Sequence, residues 1–298
     1  MTATLAVFEL FELPVVQRSA VALLVASVAL PIVGVFVIGL DVIMARFAMM
    51  HIALLGLAIG LLISVDPFAC ALVLCAVTGA SLAPLANKPG GLAGPMSLLM
   101  SLGIAGALLI FSISGVNANG AFELLWGSIL ATRVEELVAI IAVAVAVLVF
   151  YASRRRELGL MFADREIAEC SGVNVNRLTV VLLILVAVAI AAAIKLTGAL
   201  LVDTVTLLPA LAARNVARSF RSMVAWAITF AVVGNTLGFL LALTLDQPPG
   251  PVLVLVGGAI TLATYLKPKD HPDDQVPAAP AADLLDDDRD HRVRLIRR

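Results

Sequence analysis

Apolar stretches, each closed by a short polar interruption, follow one another from residue 19 to residue 266. A helix needs about 20 apolar residues to cross the hydrocarbon core of a bilayer, and somewhat fewer where its neighbours shield it. On that count the pattern predicts spans at 19–40, 48–65, 67–86, 95–113, 134–152, 178–194, 196–210, 223–245 and 250–266. The fold class is therefore all-α, a polytopic membrane helix bundle of 8–9 spans. The region 178–210 either makes two crossings or contains one broken helix, and the span after Pro67 is among the weakest.

The interruptions orient the bundle. Arg154, Arg155, Arg156, Arg165 and Arg177 crowd the segment between the fifth and sixth runs, and Arg214, Arg218 and Arg221 follow Pro209. Basic loops favour the cytoplasmic side, whereas "DQPPG" at 246–250 carries no basic residue and belongs outside. An outside N-terminus and an inside C-terminus satisfy all nine runs. Past Pro209, "ALAARNVARSFR" is too polar to span, and it predicts a short basic amphipathic helix lying at the inner surface. A rigid helix there can transmit motion from a docked partner, although an ordinary positive-inside loop has the same charge.

Composition agrees with the pattern. The 298 residues are 61% hydrophobic and 14% charged, with a mean hydropathy of +1.07. A soluble domain is normally about 45–50% apolar and about 25% charged. The formal net charge of −1 offers no steering field for nucleic acid. Two domains are expected: a transmembrane domain over residues 1–266, and a disordered cytoplasmic tail over 267–298, where proline, alanine and charge mix too densely to bury a core. His271 and His291 in that tail read as part of a solvated linker, with a metal-sensing tail as the alternative. The N-terminus lacks the basic start and unbroken apolar core of a signal peptide. Cys70, Cys75 and Cys170 show no metal-binding or redox spacing, so no disulfide is expected. There is no GxxxxGK[ST], so nucleotide chemistry falls to a partner.

Ionisable groups inside spans cost about 2.5–3.5 kcal/mol each at mid-membrane on insertion scales, and they tend to face a cavity or a partner. The candidates are His51, Asp66, Lys195, Asp203 and Arg46, with Thr204, Thr206 and Asn235 as uncharged polar groups. Asp66 precedes Pro67 and reads as a turn residue at the outer interface. Lys195 lies where a long side chain can snorkel to the headgroups. Asp203 is flanked by apolar and small residues, so its carboxylate needs a cation, a proton or a hydrogen-bond partner. Thr206 shares its helical face. Met49 and Met50 point about 100° apart and read as packing rather than as a soft-metal site.

Five blocks, in order, resemble the permease subunit of metal-type ABC importers. They are "LPVVQRSAVALLVASVALPIVGVFVI", "MHIALLGLAIGLLISVDP", "LLWGSILATRVEEL", "GVNVNRL" and "KLTGALLVDTVTLLPALAARNVARS", together covering about residues 13 to 266. The resemblance implies a type II ABC importer-like permease that moves zinc, manganese or iron as its substrate. It implies a homodimer of permease subunits, a separate ABC ATPase subunit that binds ATP, and an extracytoplasmic metal-binding protein. No cofactor is implied on this chain and no enzyme activity. The segment carrying Arg214, Arg218, Ser219 and Arg221 is similar to the family's coupling helix to the ATPase.

His51 falls on the family's ligand histidine, but Phe47 falls on the aspartate four residues before it, and a phenyl ring cannot hold a divalent ion. Leu40 and Asp41 replace two arginines that commonly follow the first span, and "KPGGLAGPMS" lacks the family's third-loop carboxylate. Asp203 stands where the family usually has a small hydroxyl or apolar residue. One acid is lost on one helix and another gained elsewhere, so His51, Asp203 and Thr206 are expected to line one central path. Alternatives are a diverged permease for a non-metal or metal-complex substrate, a non-transporting membrane scaffold, and a gradient-driven carrier using Asp203 and Lys195 as a relay.

Overall fold

The computed structural model describes residues 13–85, 92–115 and 134–266, and the side chains at 83, 195–197, 199 and 200 are not among those described. Every regular element in these residues is helical. In chain order they are α1 (Pro14–Gly39), α2 (Ile43–Leu62), α3 (Pro67–Leu82, closed by a 3-10 turn at Ala83–Leu85), α4 (Ala93–Ile113) and α5 (Val134–Ala163). Then follow α6 (Arg165–Cys170), α7 (Val175–Val216), α8 (Phe220–Leu245) and α9 (Pro249–Tyr265). The predicted tail, its two histidines, the first twelve residues and most of "LLWGSILATRVEEL" lie outside the described residues, as does part of "KPGGLAGPMS".

Local chemistry explains where the helices start. Proline opens α1, α3 and α9, where its missing N–H costs nothing because the first turn has no intrahelical acceptor. Asp66 Oδ2 accepts from Ala69 N at 2.9 Å, so this acid caps α3, the structural role its place before Pro67 suggests. Asn174 accepts from Arg177 N at the head of α7, and Ser219 with Ser222 forms a capping box at the head of α8.

Side-chain contacts show which ends lie together. Phe162 near the end of α5 packs on Phe36 near the end of α1 at 6.3 Å and on Phe220 at the head of α8 at 5.3 Å. The head of α7 is at this same end, because Leu178 and Arg177 share a cavity with Phe150 and Arg154 of α5. α9 runs back along α8, Leu253 lying against Gly238. The later half of α7 runs parallel to α9: Leu201 lies beside Gly250, the Leu208 carbonyl accepts from Thr261 Oγ1, and Asn215 Nδ2 donates to Thr264 Oγ1 at 3.2 Å. It therefore ends where its own first half began.

The two halves of α7 are consequently antiparallel, and the reversal falls at Gly198, the non-helical residue within the element (φ 76°, ψ 165°). A straight helix of 42 residues would measure about 63 Å, twice the hydrocarbon thickness of about 30 Å. Of the two sequence alternatives for 178–210, the chain adopts a helix broken at Gly198 whose halves each turn back on the bundle.

This folded-back element is the hub, packing against α1, α2, α3, α5, α8 and α9. At its closest approach to α1, Gly34 faces the Thr206 carbonyl so tightly that an added Cβ would collide with it. Asn235 Nδ2 of α8 donates to Ser27 Oγ of α1 at 2.8 Å, and that hydroxyl donates to the Leu23 carbonyl at 2.7 Å. Among the described residues, six helices or half-helices are long and apolar enough to cross a membrane, including α5, α8 and the first half of α7 (Val175–Ile194), while α3 and α9 are shorter apolar helices.

Candidate functional site

Among the described residues, one ion pair joins two different helices, and its arginine is buried. Arg46 lies in the first turn of α2 and is 6% exposed. Its Nη1 meets Asp203 Oδ1 of α7, so the seam between α2 and the second half of α7 is closed by an ion pair. The guanidinium also stacks over the Phe47 ring, 4.2 Å from its centroid. Arg46 Nε is buried without a hydrogen-bond partner among the described residues. The Asp203 side chain is 40% exposed, leaving part of the carboxylate open on the side away from Arg46.

Asp203 thus finds the cation that its depth demands, and the cation belongs to the protein. In the sequence Arg46 stands among the buried ionisable groups with no partner beside it. The signal for the pair is that Phe47 takes the place of the family's aspartate next to an arginine on α2, while an acid appears on α7.

His51 is 8% exposed, and its Nδ1 lies 2.7 Å from the Phe47 carbonyl. A carbonyl can only accept, so Nδ1 donates to it. Backbone and Cβ atoms of His51 lie against Gly103 of α4. Five residues separate Arg46 from His51, about 140° around the helix, so the structure joins Asp203 to Arg46 and places His51 on another side of α2. The Thr206 hydroxyl is buried and donates to the Val202 carbonyl. Thr204 Oγ1 is buried with no partner among the described residues.

Among the described residues no group of three or more His, Cys, Asp or Glu is arranged to hold a metal ion. The exposed part of the Asp203 carboxylate is left open beside the seam. Met49 is 1% exposed and its carbonyl accepts from Cys75 Sγ at 3.6 Å, which places it in the packing between α2 and α3. The Lys195 side chain lies outside the described residues.

The predicted separate surface helix after Pro209 is not formed. Pro209 sits inside α7, which continues to Val216. Arg214 belongs to its last turn, Arg218 lies in the link, Ser219 caps α8, and Arg221 falls in the first turn of α8. The physical reason is that the alanines of "ALAARNV" favour continuing the helix, while Ser219 offers a strong capping box that starts the next one. Arg214, Arg218, Ser219 and Arg221 are all exposed. They share the end of the bundle with Arg154, Arg155, Arg156, Arg165 and Arg177, whereas the turns at the opposite end carry Asp66 and Asp246.

A polytopic membrane helix bundle with an ion pair in the seam between two helices and an exposed basic joint at one end is the class these features define. The chain belongs to the ABC 3 transport family, whose model matches residues 12–267. It is 26% identical over 242 residues to the high-affinity zinc uptake system membrane protein ZnuB of Haemophilus influenzae, covering 78% of this chain and 90% of that one. It is 23% identical over 260 residues to the manganese transport system membrane protein MntC of Listeria monocytogenes, covering 86% and 92%. A chain of PsaBC from Streptococcus pneumoniae, solved in complex with Fab, superimposes with a TM-score of 0.77 at 22% identity, covering 90% of this chain and 97% of that chain. The protein is a multi-pass protein of the cytoplasmic membrane and its fold is that of an ABC permease.

Proposed function

We propose that this chain is the membrane-spanning permease subunit of an ATP-binding-cassette importer that moves a divalent metal ion, of the zinc, manganese or iron class, into the cytoplasm. The observation that carries the reading is the family match over nearly the whole helical part. α3 and α9, shielded by α7 and α8, complete crossings with fewer residues, and the count is nine spans with the two halves of α7 taken separately and eight with α7 taken once. The basic end faces the cytoplasm, with the N-terminus outside.

The chain works as a homodimer. Two ATPase subunits bind and hydrolyse ATP and press on the joint formed by Arg214, Arg218, Ser219 and Arg221, while an extracytoplasmic binding protein delivers the ion. This chain performs no covalent chemistry. The ion passes the seam between α2 and α7 at Asp203, with Thr206 in the wall, and meets His51 on another side of α2 as a separate ligand. A joint embedded in the ends of α7 and α8 moves those helices directly.

One observation favours a second substrate class. A guanidinium in the seam suits a negatively charged metal complex better than a bare cation. The test for both is reconstitution of the full chain with its ATPase and binding protein in proteoliposomes, following zinc and manganese supplied free and as citrate complexes. ATP-dependent uptake of the free ion is expected, with at least about a tenfold loss in Asp203→Asn and in His51→Ala. Uptake of the complex alone selects the second class. Flux without ATP indicates a gradient-driven carrier, and no flux at all indicates a scaffold.

A further inference from the structure

We infer that Arg46 is a tethered cation occupying Asp203, so that a permeating ion gains the carboxylate only by displacing the guanidinium and opening the seam between α2 and α7. The inference rests on the reading of the seam as an ion path. Three observations carry it. First, Asp203 is bound on one side only: Oδ1 meets Arg46 Nη1, yet the side chain remains 40% exposed. A second cation can therefore approach before the first has left, as a displacement requires.

Second, Arg46 is held weakly for a buried charge. A guanidinium has five N–H donors, and Nε is left buried without a partner among the described residues. A buried guanidinium with incomplete hydrogen bonding gains little net stability from its partner, because its own desolvation offsets the attraction. Third, the Phe47 face, 4.2 Å from the guanidinium carbon, gives the cation a contact that does not depend on Asp203. Displacement then leaves Arg46 over an aromatic face rather than stranded in hydrocarbon.

The exchange selects by charge. Replacing one guanidinium by one monovalent ion returns no electrostatic gain, whereas a divalent ion meets the same carboxylate with twice the charge. Arg46 is thus a specificity-determining residue as well as the closure of the seam.

The test measures zinc binding to the purified full-length chain in detergent, by equilibrium dialysis with zinc ion alone. Arg46→Gln is expected to bind zinc at least about tenfold more tightly than the parent, equivalent to about 1.4 kcal/mol. Arg46→Lys, which keeps a competing cation, is expected to bind within about threefold of the parent. Adding Asp203→Asn to Arg46→Gln is expected to abolish the gain. An unchanged or weaker affinity in folded Arg46→Gln overturns the inference, and so does a gain that survives Asp203→Asn.

A second measurement needs no variant. Zinc is expected to raise the phenylglyoxal reactivity of Arg46 several-fold in the unmodified chain, located by peptide mass spectrometry, and constant reactivity at saturating zinc overturns the inference. Failure of the permease reading would be seen separately, as absence of ATP-dependent uptake in the reconstituted complex.

Discussion

A guanidinium stacked on a phenyl ring and paired with a carboxylate from a helix far along the chain shows how little of a polar site depends on residues adjacent in sequence. Arg46 and Phe47 are neighbours, but Asp203 arrives from the far side of Gly198, and only the reversal of α7 brings it to α2. The identity of each buried charge was legible in the sequence, since a charge in an apolar run stands out. The pairing was not, because it depends on which helix faces lie inward, and apolar residues all round a membrane helix erase the periodicity that marks an inner face in a soluble one. The same blindness applies to Gly34, one glycine among 21 in the sequence. A methyl group there would meet the Thr206 carbonyl. Gly34→Ala is therefore expected to cost about 1–3 kcal/mol through overpacking. It should lower the temperature at which the monodisperse fraction is lost in detergent, whereas Gly258→Ala, where an added Cβ meets nothing within 4 Å, should leave that temperature unchanged.

At the scale of the element, the apolar runs map closely onto helices because the bilayer demands about the same length from each of them. Their limits are sharp where proline or a capping side chain stands at the boundary, as at Pro14, Pro67, Asn174 and Ser219. The region 178–210 is ambiguous for a physical reason. Between its two runs stand only "KLTG", too few residues for a loop and without a proline, so the reversal is concentrated in one backbone position. Gly198, at φ 76° and ψ 165°, occupies a region that is essentially reserved for glycine. Gly198→Ala is expected to cost about 1–3 kcal/mol and to reduce the yield of folded chain more than Gly34→Ala, as read by size-exclusion profile. A normal profile with unchanged melting would show that another residue makes the turn. The Asn235 to Ser27 bond ties α8 to α1, and measured interhelical bonds of this kind average about 0.6 kcal/mol. A double-mutant cycle with Asn235→Ala and Ser27→Ala should return a coupling of about that size, and a coupling of zero would mean the two groups find other partners.

At the scale of the whole molecule, arginines outnumber acids at one end of the described bundle. The arginines of the α5 tail and of the α6 and α7 heads gather at the end where α7 finishes and α8 begins, and the described turns at the other end carry Asp66 and Asp246. The sequence made the basic segments visible but misread the shape of one of them, since amphipathic charge predicts a helix lying flat whereas the alanines before it extend α7 and Ser219 starts α8 afresh. This difference changes how force would travel. A flat surface helix can rock on its flanking loops, but a joint made of two helix ends passes a push at Arg218 along α7 towards Asp203 and along α8 towards Asn235. Exposed arginines at such a joint bind an acidic partner surface through charges that salt screens, with a Debye length of about 8 Å at physiological ionic strength. Replacing Arg214, Arg218 and Arg221 together by glutamate is therefore expected to cut co-purification of the ATPase at least about tenfold at physiological salt. The isolated chain should keep its melting temperature, because all three side chains are exposed. Ser219→Ala should act differently, fraying the head of α8 at a cost of about 1 kcal/mol and weakening the coupling of ATP hydrolysis to uptake while leaving the partner bound. Retention of both partner and coupling in the triple variant would place the ATPase contact on another part of the basic end, with the tail of α5 and the head of α7 next in line.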